Sequence, residues 1–168
     1  ILENLNIDNL TINDYNQLLY SNDFYNKIPN ETFLVFQTDT IICKNSKDLI
    51  NEFLSYDYVG APWKNSINGE YVGNGGLSLR KKSKMLNKIN KCKITHTNIA
   101  EDVFFANNDC EPLLKPDKNK ANQFSNEQVF EKKSFGVHKP WLYLTEKEIN
   151  YKINTCDGLD KLIKLNEL

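Results

Sequence analysis

The stretch Val72-Gly73-Asn74-Gly75-Gly76-Leu77-Ser78-Leu79-Arg80 constrains this chain most, because three glycines and an asparagine break what otherwise reads as a strand running into a helix. Glycine lets other groups approach the main chain closely, so such a cluster marks either a tight turn or the floor of a ligand site. Short glycine motifs are too unspecific to decide between the two. The neighbours of the stretch have to decide.

Helical and extended segments alternate on both sides of it. Thr11-Ile12-Asn13-Asp14 reads as a capping box opening a helix through Leu18 and Leu19, and Ser21 caps a second short turn ending near Pro29. Thr32-Phe33-Leu34-Val35-Phe36-Gln37 is apolar, β-branched and aromatic, and predicts a strand in the middle of a sheet. Ser46 to Leu54 has helical spacing, and Tyr56 to Gly60 reads as a short strand that Ala61-Pro62-Trp63 stops. Glu70 to Arg80 reads as extended, and Ser83 to Ile89 and Ile99 to Asn107 as helices. Lys115 to Phe130 reads as helical in its second half, Phe135 to His138 as a short strand, and Thr145 onward as helix to the end. This alternation predicts a single α/β domain over residues 1–168, a mixed, mainly parallel sheet flanked by helices.

The 168 residues suffice for one ordinary core. With 21 basic against 22 acidic residues, and Lys81-Lys82-Ser83-Lys84 the densest basic run, nothing points to a nucleic acid partner. Cys43, Cys92, Cys110 and Cys156 are widely spaced without a C-x-x-C, which fits neither a zinc knuckle nor a dense disulfide framework. Reduced thiols and a cytoplasmic location are the expectation. No apolar run approaches the about 20 residues of a membrane span, and no signal peptide is visible. The chain begins at Ile1 without a methionine, which reads as a processed chain, an excised domain or a missing N-terminal portion.

Polar groups gather at the ends of these elements, where open α/β sheets hold their ligands. Gln37-Thr38-Asp39-Thr40 follows the first strand, and its carboxylate suits a hard cation or a turn cap. Glu101-Asp102 opens an apolar helix, which serves the helix dipole or supplies a general base. Phe135-Gly136-Val137-His138-Lys139-Pro140-Trp141 carries one of only two histidines to the end of a short strand. The other, His96, reads as a surface residue in a polar segment.

Taken in order, these blocks resemble a glycosyltransferase-like family known mainly as a domain of unknown function. They are Gln37-Thr38-Asp39-Thr40, Tyr56-Asp57-Tyr58-Val59-Gly60-Ala61-Pro62-Trp63, the glycine block from Val72 to Arg80, Glu101-Asp102-Val103-Phe104-Phe105, and Phe135 to Trp141. The likeness covers roughly residues 11 to 141 and is similar, more remotely, to GT-A glycosyltransferases such as the β-1,4-galactosyltransferases. It implies a GT-A-like fold, a nucleotide-sugar donor, Mn²⁺ or Mg²⁺, and inverting transfer to a hydroxyl of a glycan or other acceptor. Asp39 takes the last position of an Asp-x-Asp motif as a metal ligand, while Gln37 stands where the first aspartate is expected, leaving one carboxylate instead of two. His138 takes the role of second protein ligand. Gly75 and Gly76 lie beside the donor sugar, with Asn74 at a sugar hydroxyl and Arg80 in the same substrate-binding block. Asp102 takes the role of base, with Glu101 beside it, and Trp63 and Trp141 offer apolar faces to a sugar ring.

The front of the chain departs from that pattern. Only a helical stretch precedes Thr32, so the part that holds the nucleotide base in GT-A enzymes is expected to be reduced or missing. A non-catalytic carbohydrate-binding or assembly module on the same scaffold is the alternative reading. A metal-dependent phosphate-ester hydrolase needs more carboxylates than these blocks supply.

Overall fold

The computed structural model describes residues 10–92 and 99–166. Helices α1 (Ile12–Leu19) and α2 (Asn22–Lys27) lead into strands β1 (Thr32–Phe36) and β2 (Thr40–Ile42), a 3₁₀ segment (Lys44–Glu52), and strands β3 (Tyr58–Ile67) and β4 (Glu70–Lys81). Then come α3 (Lys82–Lys91), α4 (Glu101–Ala106), α5 (Lys118–Phe124), β5 (Ser125–Asn126) and β6 (Gly136–His138). A short 3₁₀ turn (Pro140–Leu142) and helices α6 (Glu146–Thr155) and α7 (Leu159–Asn166) close the chain. The Thr11 capping box and the Ser21 cap start α1 and α2 as their sequences predict. His96 lies outside the described residues.

The domain is α/β, but its sheets are small and mostly antiparallel. One has the order β1-β4-β3 and the other β2-β6-β5, and among the described residues only the β5–β6 pair is parallel. The expected mainly parallel sheet is therefore corrected, and so is the expected central strand. β1 pairs with β4 alone and is half-exposed, whereas β4 has strands on both sides. Along β4, Leu77 and Leu79 face a core of Phe53, Val59, Phe124 and Phe135, while Ser78 and Arg80 point the other way, where Tyr25, Tyr58, Met85 and Phe105 pack. The glycine block is thus strand throughout, and does not interrupt it.

β3 runs straight through Ala61-Pro62-Trp63, contrary to expectation. Pro62 is tolerated because β3 is an edge strand whose pairing with β4 is irregular between Gly60 and Ile67. Asn68 (φ 51°) and Gly69 (φ 83°) make the hairpin that returns it to β4. Between 115 and 130 the helix occupies the first half, Lys118–Phe124, started by the Asp117 cap, rather than the second. The C-terminal helix is broken at Gly158, whose φ of 90° ends one helix and starts the next.

The four cysteines form two disulfides, Cys43–Cys156 and Cys92–Cys110. This corrects the expectation of reduced thiols: Cys43 and Cys156 are 113 residues apart in sequence, and the fold brings their Cα atoms to 4.4 Å. The argument for a cytoplasmic location from thiol chemistry falls with it. No helix among the described residues is long and apolar enough to cross a membrane.

Candidate functional site

Two strand pairings assemble one side of the site. Antiparallel pairing of β2 with β6 sets Thr40 opposite His138, so Asp39 and His138 meet at the strand ends. Parallel pairing of β5 with β6 matches Asn126 to Val137, and the next residue along, Glu127, reaches the imidazole. His138 Nδ1 lies 3.1 Å from Glu127 Oε2, and Nε2 lies 3.1 Å from both Gln37 Oε1 and Asp39 Oδ1. Burial pushes the imidazole down, but hydrogen bonding and charge from Asp39 and Glu127 outweigh it and hold it at about 9. His138 is therefore an imidazolium at neutral pH. Burial likewise pushes Asp39 up, and contacts from His138 and Lys139 overcome it, bringing the carboxyl to about 2.

The Asp39 oxygens differ. Oδ2 meets Lys139 Nζ at 2.9 Å. Oδ1 is buried and faces His138 Nε2 at 3.1 Å, a contact that the imidazolium shares between Asp39 and Gln37. Both Asp39 oxygens thus face cationic groups, so a hard cation could bind here only in place of the His138 contact. His138 does not fit as a second ligand, since both ring nitrogens are engaged and the ring is protonated. No group of three or more His, Cys, Asp or Glu able to hold a metal occurs among the described residues.

The other side is built by α4 on β4. Arg80 is fully buried and grips Glu101 with two bonds, Nη1 to Oε2 at 2.8 Å and Nη2 to Oε1 at 2.9 Å. Its guanidinium also stacks over the rings of Tyr58 and Phe105. Asn16 on α1 accepts from the Glu101 backbone N–H at 3.0 Å and so caps α4, whose own cap residue, Ala100, has no side chain to do so. Glu101 is thereby a strut holding the next residue in place. Asp102 accepts from the Gly75 backbone N–H at 3.3 Å and from Val103 N–H at 2.7 Å. Burial, helped by the Glu101 charge, raises its carboxyl to about 6 despite those bonds.

Asp39, His138, Asn74, Gly75, Gly76 and Asp102 line one cleft of about 520 Å³, with Gln37 and Glu101 beside them. Asn74 Oδ1 accepts from Gly76 N–H at 3.0 Å and braces the strand there. Gly75 is required for a reason beyond access, since a Cβ on it would stand 2.3 Å from Glu101 Oε1. Arg80, Trp63 and Trp141 are not on the cleft wall. Arg80 lies beneath it as the partner of Glu101, and Trp63 is buried against Gly73. Trp141 sits in the 3₁₀ turn after β6.

Residues the sequence did not flag complete the site. Glu127 has no local signature, because it reaches His138 only through strand pairing. Tyr15 and Asn16 come from α1, the stretch upstream of the recognised blocks, and Phe36 comes from the end of β1.

A family described as "Protein of unknown function (DUF5672)" matches residues 2–138. The chain belongs to that family. Its matched stretch ends on His138, so the whole cleft falls inside the family and the C-terminal helices α6 and α7 fall outside it. No curated protein and no solved structure matches the chain.

Proposed function

We propose that this protein transfers a sugar from a nucleotide-sugar donor to a hydroxyl, with Asp102 as general base. The observation that supports this reading is the convergence of Asp102, Asp39 and the Asn74–Gly76 strand on one cleft, from segments far apart in sequence. A carboxylate raised to about 6 is ionised at neutral pH yet basic enough to accept a proton from an attacking hydroxyl. The cleft and its supports carry four carboxylates, Asp39, Glu101, Asp102 and Glu127, against three cations, Arg80, His138 and Lys139. A diphosphate does not enter such a site without added positive charge. Asp39 is the residue that would hold Mn²⁺ or Mg²⁺, in exchange for its contact with His138. Such an ion would supply the positive charge that neutralises a leaving diphosphate. His138 and Lys139 hold the Asp39 carboxylate at the cleft. The two disulfides favour an oxidising compartment for the reaction.

The test is release of nucleoside diphosphate from a panel of nucleotide sugars with Mn²⁺ or Mg²⁺, in the wild type, Asp39→Ala and Asp102→Asn. Metal-dependent release that both variants lose supports the transferase. Glycan binding with no release from any donor selects the non-catalytic module.

A further inference from the structure

The two disulfides differ in their surroundings. Cys43 and Cys156 are both buried and pack with Val137 and Ile41. Cys92 is buried at the end of α3, where its backbone N–H donates to the Lys88 carbonyl at 2.9 Å, but Cys110 is exposed on the loop that follows α4. Cys92 and Cys110 also line a cavity of about 200 Å³, together with Lys88, Val103, Phe104 and Asn107. That cavity shares no residue with the cleft holding Asp39 and Asp102. An attacking thiolate needs access to one sulfur of a disulfide, so an exposed bridge exchanges with thiols and a buried one resists.

The fold around the exposed bridge has other holds. Lys88 Nζ donates to the carbonyls of Asn107, Cys110 (2.8 Å) and Glu111 (3.1 Å), and Lys91 and Asn87 bind the Glu111 carboxylate, so residues 107–111 stay tied to α3 without the bridge. α4, inside the bridged loop, is fixed at its start by Arg80 on Glu101 and by Asn16, and Phe105 is buried in the core. Lys88 also sets an ammonium beside the pair, and a neighbouring cation favours a departing thiolate. We infer that Cys92–Cys110 is a thiol-exchange site, at which a low-molecular-weight thiol of the glutathione class enters the cavity and attacks Cys110 Sγ. A bond forms between the incoming sulfur and Cys110 as the Cys92–Cys110 bond breaks. The incoming thiol gives its proton to water, and Cys92 leaves as a thiolate that takes one up. A second thiol then attacks the sulfur of the first, releasing Cys110 as a thiol, so that the bridge gains the two electrons that the two small thiols lose in forming their own disulfide. Cys43–Cys156 takes no part. The exchange is independent of the transferase reading, because the Asp102 end of α4 keeps its holds.

The experiment treats the folded wild-type protein with reduced glutathione, traps free thiols with N-ethylmaleimide after set times and maps every adduct by peptide mass spectrometry. Cys92–Cys110 is expected to open at least about tenfold faster than Cys43–Cys156, with the glutathione adduct on Cys110. In oxidised glutathione, Cys110 of the Cys92→Ser variant is expected to acquire the adduct at least about tenfold faster than Cys92 of the Cys110→Ser variant. Amide hydrogen exchange of the opened wild type is expected to rise in residues 103–110 and to stay unchanged along β4. Opening of both bridges at one rate, of Cys43–Cys156 first, or of neither overturns the assignment. An adduct on Cys92, or lost protection along β4 once the bridge opens, overturns it as well, since the bridge is then a structural clamp. If either serine variant fails to fold, the wild-type opening rates and the position of the adduct decide alone.

Discussion

The imidazole of His138 occupies the space that a side chain at residue 76 needs, a Cβ on Gly76 falling 2.0 Å from its Cε1. The ring cannot swing away without leaving Glu127 and Gln37. Gly76→Ala is therefore expected to cost about 1–3 kcal/mol, as overpacking against a fixed group does. Urea unfolding measures it, and the His138 ring resonances should shift in the same variant.

Arg80 and Glu101 answer to a different test. Arg80→Met leaves the Glu101 carboxylate buried without its cation, and a loss of about 3–5 kcal/mol is expected in the urea midpoint. Adding Glu101→Gln to that variant should recover part of the loss, because the stranded charge is then gone.

Asp102→Asn is expected to lower the transfer rate by about 10²–10⁴ while keeping the fold. The wild-type rate should rise with pH through about 6, as the carboxyl ionises. Stability moves the other way. The folded value lies above the ordinary 3.8, so what Asp102 contributes is full below that value and lost as pH rises through about 6. At neutral pH the Asn variant is therefore expected to be at least as stable as the wild type, read by thermal melts on either side of pH 6.

Lys152 gives a pH dependence of opposite sign. Its amine is buried and donates to Ser134 Oγ at 2.9 Å and to the Lys132 carbonyl at 3.3 Å, and burial lowers it to about 8 against the pull of Glu131. A depressed amine contributes stability that is full above its ordinary 10.5 and lost as pH falls through about 8. Between about pH 10 and pH 7 the wild type should lose up to about 3 kcal/mol relative to Lys152→Met, measured as the change in the difference between their urea midpoints.

Local signals in the sequence were dependable here and long-range ones were not. Thr11 and Ser21 announce their helices because a cap is a contact within one turn. The Asn68-Gly69 hairpin is equally local and went unread. A run of apolar residues does not say how many neighbours a strand has, so β1 reads as central although it pairs with β4 alone and none of its residues is fully buried. The site blocks containing Asp39, Gly75, Gly76, Asp102 and His138 were legible as motifs. Glu127 and Tyr15 were not, since one arrives by parallel pairing across the chain and the other from a helix that carries no motif. Trp63 and Trp141 invited a carbohydrate role by residue type, yet the exposed ring in the cleft is Phe36.

The Cys43–Cys156 bridge joins the strand that follows Asp39 to the junction of the last two helices, and both sulfurs are buried beside Val137. Everything between the two cysteines is consequently a closed covalent circuit. A protease that nicks any loop inside it produces two pieces that still travel as one molecule on a non-reducing gel and separate only on reduction. The same circuit fixes where the protein can be trimmed, because a fragment cut to the matched family boundary leaves Cys43 with a lone thiol next to the site.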